Sequence, residues 1–162
     1  MTTGIRARPA LRSDASSIAA IYNEGIEDRV ATFETRLRTA DDILAWFAAP
    51  YPIVVVEDGE RVVAFAAAGS YRPRDCYKGI AEFSVYVARG ERGRGYGGVA
   101  MEALSNAAKA AGFWKLVSRV FVENTVSRAL LKNAGFREVG IYQRHAMLDG
   151  EWRDVVIVEK LL

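Results

Sequence analysis

One cysteine, Cys76, and one histidine, His145, are the entire supply of thiol and imidazole in these 162 residues. A single thiol excludes an intramolecular disulfide framework and any multi-cysteine metal site. A single imidazole leaves nothing to build a histidine-based metal cluster, so no metal is expected. Charge of one sign is scarce too: the net charge of +2 is too small to argue for nucleic acid. Long apolar runs are missing. The longest, residues 62–68, falls far short of the ~20 residues needed to span a bilayer, and the opening MTTGIRARPALRSD has no apolar leader. The expectation is a soluble, cytoplasmic protein with neither membrane nor nucleic acid as partner. No internal repeat, low-complexity segment or linker interrupts the chain, and residues 1–162 read as a single domain with a full-sized core.

What the sequence does contain is concentrated in residues 81–99, AEFSVYVARGERGRGYGGV. Ala81, Phe83, Val85 and Val87 alternate with Glu82, Ser84 and Tyr86, the period of a strand with two different faces. Arg92-Gly93-Arg94-Gly95-Tyr96-Gly97-Gly98 follows, and a helical pattern begins at about Val99. A glycine-rich turn feeding a helix N-terminus is an anion cradle, because free backbone N–H groups converge there and the helix end is positive.

Around this stretch the order of elements is readable. Residues 5–9 suggest a strand stopped by Pro9. Ser13 and Asp14 can cap a helix carrying Ile18, Ile21, Tyr22 and Ile26 on one face. Residues 28–38 are polar and broken. Thr39 can cap a second helix, with Asp41 and Asp42 in its first turn and Ile43, Leu44 and Phe47 inward, ended by the prolines at 50 and 52. Residues 53–57 and 62–68 are predicted strands around Asp58-Gly59-Glu60. After the central strand, a helix over about 99–111 ends at Gly112. A strand over 114–122 and a helix over 124–133 follow, and a hairpin of 137–147 with 152–161 turns at Asp149-Gly150. The order β-α-α-β-β-β-α-β-α-β-β predicts an α/β (α+β) domain with a mixed sheet.

The glycine loop admits three readings. Gly93 to Gly98 satisfies G-x-G-x-x-G, but the residues twenty positions on, Val117, Ser118 and Arg119, include no acid, and the loop follows an antiparallel hairpin. A dinucleotide fold fails on both counts. No Lys-Ser or Lys-Thr follows the glycines, so a P-loop fails as well. A merely flexible turn remains, yet the helix directly behind the loop favours a phosphate site.

Arg92-x-x-Gly95-x-Gly97 matches Q/R-x-x-G-x-G/A, and on that motif the chain resembles the GCN5-related N-acetyltransferases (GNAT) over nearly its whole length. Glu123-Asn124-Thr125-Val126-Ser127 and Asn133-Ala134-Gly135-Phe136 resemble the family's second cofactor segment. The phosphinothricin-type branch, whose substrates include arsinothricin and methionine sulfoximine, is similar in further places. These are Tyr22-Asn23, Thr32-Phe33-Glu34, Tyr71-Arg72-Pro73-Arg74 with Tyr77, Glu82-x-Ser84-Val85-Tyr86-Val87, and Gly150-x-Trp152-x-Asp154. The resemblance implies an acyl-CoA N-acyltransferase fold, with a mostly antiparallel sheet of about seven strands and about four helices. It implies acetyl-CoA as co-substrate, held by Val85, Tyr86, Val87, the stretch from Arg92 through Gly93, Arg94, Gly95, Tyr96 and Gly97 to Gly98, and Asn124 with Ser127. It also implies a homodimer, which the C-terminal hairpin and its apolar end at residues 155–162 would serve.

Chemistry sorts the remaining candidates. Acetyl transfer needs a neutral amine, whereas a free amino group is mostly protonated at pH 7, so the site requires a proton acceptor. Glu82 is the candidate. It lies five residues before Val87, ~17 Å along a strand, about the reach of a pantetheine arm. By itself it reads equally well as a solvent-facing glutamate, and the resemblance favours the base. Arg72 and Arg74 suit an anionic side chain on an amino-acid-like substrate, since a guanidinium grips such groups in bidentate fashion. Phe33, Tyr77, Trp152 and Ser84 would line that pocket. Leu131 stands where the family resemblance implies Tyr or His as the acid that reprotonates the departing thiolate. Tyr86 is the substitute carried into the catalytic set, with Tyr142 and His145 behind it. Cys76 has no evident base partner and reads as a bystander.

Overall fold

The computed structural model describes residues 4–162. The sequence alternation becomes seven strands: β1 (Ile5–Pro9), β2 (Ile53–Asp58), β3 (Arg61–Ser70), β4 (Ile80–Val87), β5 (Lys115–Phe121), β6 (Arg137–Leu148) and β7 (Glu151–Leu161). The helical spacings become α1 (Ala15–Asp28), α2 (Ala40–Leu44), α3 (Tyr96–Ala110) and α4 (Thr125–Asn133). Thr39 caps α2 as predicted: its side chain accepts from the Asp42 N–H, and Asp42 accepts in return from the Thr39 N–H.

One sheet runs β1-β2-β3-β4-β5-β7-β6. Every neighbouring pair is antiparallel except β4 with β5. α1 and α2 cover one face, where Ile18, Ile21 and Ile43 pack on Val55, Phe65 and Ala67. α3 and α4 cover the other, where Met101, Leu104 and Leu131 pack with Ala66, Phe83, Leu116 and Val156. Cover on both faces explains why β2 and β3 read as continuous apolar runs rather than alternating ones.

The parallel pair is short. Ile80, Ala81 and Glu82 lie opposite Lys115, Leu116 and Val117, and then β4 runs on to Val87 while β5 runs on to Phe121. The sheet therefore opens as a fork. At its base the Ser118 hydroxyl donates to the Phe83 carbonyl at 2.9 Å, closing the last gap with a side chain in place of a ladder bond.

Two expectations change. α3 starts at Tyr96 rather than about Val99. Three glycines in four residues read as loop, but the buried Tyr96 ring, whose hydroxyl donates to Asp58 at 2.6 Å, anchors the first turn from outside the helix. The C-terminal run 155–162 is also no free edge. β7 lies between β5 and β6 with Val155, Val156 and Val158 buried, so the edge strand of this hairpin is β6.

Gly25, in the last turn of α1, sits against the Tyr86 ring. A Cβ there would lie 2.6 Å from both Cδ1 and Cε1. That ring cannot yield easily, because it stacks on Tyr22 at 5.1 Å and on Phe65 at 5.6 Å. Glycine is a poor helix former, so close approach is its reason for being here. Gly25→Ala is expected to lower unfolding free energy by about 1–3 kcal/mol through overpacking, read by urea denaturation. A gain in stability would show that α1 and β4 are loosely packed.

Candidate active site

The fork presents backbone rather than side chains. Ala88 N–H donates to the Val63 carbonyl at 2.8 Å, and this fixes the alternation along β3 and β4. Tyr86 and Ser84 direct their backbone groups to β3, while Phe83, Val85 and Val87 direct theirs into the fork. Ser118 takes the Phe83 carbonyl, and Arg92 Nε donates to that of Val87 at 3.3 Å. The Val85 N–H and carbonyl and the Val87 N–H are left to meet an extended chain laid between β4 and β5. The backbone N–H groups left free in the fork are therefore those of Val85 and Val87, and the backbone of Tyr86 points to β3 instead.

Beyond β4 the chain turns through Gly93 (φ 82°) and Gly95 (φ 84°) into α3. These left-handed values are open to glycine without strain. Space above Gly93, Gly95 and Gly98 is empty within 4 Å, and no side chain caps the helix. The first-turn N–H groups thus face a bare concavity with room for a diphosphate. Gly97 serves packing instead, since a Cβ would collide with Leu130 on α4. The nearby cations are largely paired. Arg92 reaches Asp28 at 2.7 Å and Arg94 reaches Glu91 at 3.1 Å. Hydrogen bonds from Arg89, and beyond it Arg92, hold the Asp28 carboxyl below the usual range. Attraction for an anion at this turn therefore rests mainly on the backbone. Asn124 and Ser127 start α4. The Asn124 side chain accepts from the Ser127 N–H and donates to the Val30 carbonyl, both at 3.2 Å, which makes it a cap and a tie to the 29–38 segment.

On the α1/α2 face, a cavity of about 440 Å³ opens beside the fork, with Trp46, Tyr51, Gly69, Ser70, Glu82 and Ser84 in its wall. Glu82 and Ser84 are where the alternation put them. Glu82 has a neighbour the sequence reading did not single out: Arg119 of β5, whose Nη2 lies 3.3 Å from each carboxylate oxygen. Its Nη1 lies 3.2 Å from His145 Nε2. The available signal was a lone charged residue inside LVSRVF, a strand otherwise suited to burial. Trp46 and Tyr51 carried no such signal.

The other predicted residues do not converge on this cavity. Phe33 packs edge-on against Phe121 at 4.8 Å, in a cluster with Leu148 and Val155. Arg72 lies over the Tyr71 ring at 5.0 Å, Tyr77 meets that ring at 5.7 Å, and Arg74 is exposed at the start of the short turn Asp75–Tyr77. Trp152 and Cys76 are exposed. Leu131 is buried in the α3/α4 core and has no proton to give. Tyr86 leaves the catalytic set for a physical reason. Burial between Tyr22 and Phe65 pushes its phenol pKa well up, so it is a poorer acid than an ordinary tyrosine. Among the described residues no group of His, Cys, Asp and Glu is placed to hold a metal, and no helix is long and apolar enough to cross a membrane.

The comparisons with known proteins agree with this geometry. Residues 18–136 match the model of the acetyltransferase (GNAT) family. A phosphinothricin N-acetyltransferase of Streptomyces coelicolor is 28% identical, over 99% of this chain and 98% of that one. An L-methionine sulfoximine/L-methionine sulfone acetyltransferase of Pseudomonas paraeruginosa is 31% identical over 94% and 91%. A phosphinothricin acetyltransferase of Sinorhizobium meliloti, solved in complex with acetyl-CoA, superposes with a TM-score of 0.90 at 27% identity, covering 99% of this chain and 89% of that one.

Proposed function

The chain belongs to the acetyltransferase (GNAT) family and is an acetyl-CoA-dependent N-acetyltransferase, and from that premise we propose that it acetylates the α-amino group of a small amino acid with a polar or anionic side chain. Phosphinothricin, arsinothricin and methionine sulfoximine are the compounds put forward, which makes the enzyme a detoxifying or resistance factor. The relatives that act on such compounds support the class. The observation that carries the reading is Glu82, a carboxylate in the cavity wall on the same strand whose Val85 and Val87 backbone faces the fork.

Acetyl-CoA supplies an activated acyl carbon. The N–H groups from Gly93 to Gly98 hold its diphosphate, with Arg92, Arg94, Asn124 and Ser127 around the edge, and the Val85 and Val87 backbone lines its pantetheine arm. Glu82, directly or through water, takes a proton from the substrate ammonium. The freed lone pair forms the new N–C bond, the nitrogen gives up its second proton to solvent as the amide forms, and the C–S bond breaks, while the Val87 N–H stabilises charge on the carbonyl oxygen. Leu131 offers nothing to the departing thiolate, so solvent returns its proton. Ser84 contributes to the cavity wall, and Arg72 and Arg74, on the loop that follows the wall residue Ser70, take the anionic side chain. The proposal extends to a single-domain enzyme acting in the cytoplasm, where acetyl-CoA is made and used. It also includes a homodimer paired through the open β6 strand, whose Val139 and Ile141 are exposed.

A thiol-release assay with acetyl-CoA tests the substrate class. The three compounds above are expected to give kcat/KM at least about tenfold over a set of polyamines and peptides, since the latter lack groups for the site's charges. The reverse order would assign the chain to another amine. Acetyl-CoA binding with no thiol release across the whole set would make it an acyl-CoA-binding module.

A further inference from the structure

We propose that Arg119 is the receptor for the substrate's α-carboxylate, standing beside Glu82 so that the two side chains read both charges of an α-amino acid. The inference rests on the function proposed above and adds a specificity-determining residue to it.

Arg119 belongs to the part of β5 that has left β4, two residues past the last parallel pair at Val117. Its side chain crosses the fork to Glu82. The contact is loose: one nitrogen is shared between two oxygens, each at 3.3 Å. The tighter ion pairs of the chain, such as Arg8–Asp14 and Arg128–Glu138, close to 2.8 Å, the usual range of charge-assisted bonds, whereas this one belongs with open pairs such as Arg29–Asp149 at 3.4 Å. The Arg119 and Glu82 side chains are 46% and 35% exposed, and an ion pair that wet is worth little on its own. Exchanging it for substrate contacts is therefore cheap. The guanidinium carries five donors; Nη2 serves Glu82 and one Nη1 donor serves His145, which leaves the Nε–H and the second Nη1–H for a ligand.

The spacing suits an α-amino acid. Its nitrogen and carboxylate carbon are about 2.5 Å apart across one tetrahedral carbon. A site for both ends must place a carboxylate and a guanidinium side by side, which Glu82 and Arg119 are. An amine without that carboxylate would fill only half of the pair.

The hairpin aims the guanidinium. Pairing between β6 and β7 jumps from Tyr142–Val155 to Ala146–Arg153, so residues 143–145 bulge out of the ladder. Arg144 takes a left-handed φ of 45°, and its N–H donates to Asp154 Oδ1 at 2.7 Å. A bulge of this kind redirects a side chain, and here it sends His145 to Arg119. Because a guanidinium has donors only, His145 Nε2 is the acceptor and occupies Nη1, leaving the Nη2 side turned to Glu82. Asp154, part of Gly150-x-Trp152-x-Asp154, thereby acts as a positioning residue two steps from the substrate.

The test compares acid with amide. Phosphinothricin and L-methionine sulfone, each with its α-carboxamide, are assayed as substrates of the wild type, Arg119→Gln and Arg119→Lys. The wild type is expected to prefer each acid over its carboxamide by about 30-fold, the worth of a charge-assisted bond pair. Arg119→Gln should bring the ratio of acid to carboxamide kcat/KM to within about threefold of one, with the loss on the acids mostly in KM. Arg119→Lys, which keeps the charge and loses the fork, should fall between. An unchanged acetyl-CoA KM shows that the variants are folded. Equal losses on acid and carboxamide, or an acid preference that survives Arg119→Gln, would overturn the assignment. A wild type that acetylates neither acid would overturn the proposed function, and this inference with it.

Discussion

Glu82→Gln is expected to lower kcat for amine acetylation by about 10²–10³-fold, while the KM for acetyl-CoA stays within about twofold, because a positioned general base contributes on that scale. The substitution keeps size and removes the negative charge, and with it the ability to accept a proton and the ion pair to Arg119. The loss should depend on pH. At neutral pH the amine arrives protonated and needs the carboxylate. As pH rises through the amine's own pKa the neutral fraction grows in solution, and the variant's deficit should narrow by tenfold or more. A deficit that is flat from pH 7 to pH 10 would mean that Glu82 binds the ammonium without taking its proton. Initial rates of thiol release, at saturating acetyl-CoA across that range, make the measurement.

Gly95→Val is expected to weaken acetyl-CoA binding by about 100-fold. A β-branched residue at φ 84° is a strong outlier, and relief of that strain turns the first-turn N–H groups away from the concavity. The added side chain also enters the open space above Gly95 that a diphosphate would occupy. Two lost charge-assisted bonds are enough for the factor of 100. Titration calorimetry with acetyl-CoA reads it directly, and Gly98→Ala is the comparison. Gly98 also has empty space above it but carries no left-handed φ, so a small loss there with a large one at Gly95 separates conformation from simple obstruction. Equal, small losses at both positions would show that the turn does not hold the anion.

Much of this was legible from local pattern. Strand alternation put Glu82 and Ser84 on one face of β4, and caps and breakers gave the element order, because each depends on residues within a few positions of each other. The failures share a cause in distance along the chain. Alternation assigned Tyr86 to the face of Glu82 correctly. It could not show that α1, brought close by Gly25, roofs that end of the face and leaves only the Glu82 end open. Arg119 meets Glu82, and His145 meets Arg119, only because β4, β5 and β6 are assembled around a fork and a bulge, and neither has a local signature. The same holds for β7. Its apolar run reads as a surface for pairing with another copy, but strand order places it inside the sheet. The start of α3 was missed for the opposite reason. Glycine content argued locally for a loop, and a tertiary anchor, Tyr96 on Asp58, overrode it.

The central claim is that a cradle at Gly93–Gly98 and a base at Glu82 serve one reaction, direct transfer of an acetyl group to an α-amine. Mass spectrometry of a reaction with acetyl-CoA and phosphinothricin or L-methionine sulfone tests it most directly. The account predicts a product acetylated once, on the α-nitrogen, formed in equal amount to free CoA and with no acetyl group left on the protein. CoA released without an acetylated amine, or acetyl retained on the chain itself, would contradict it.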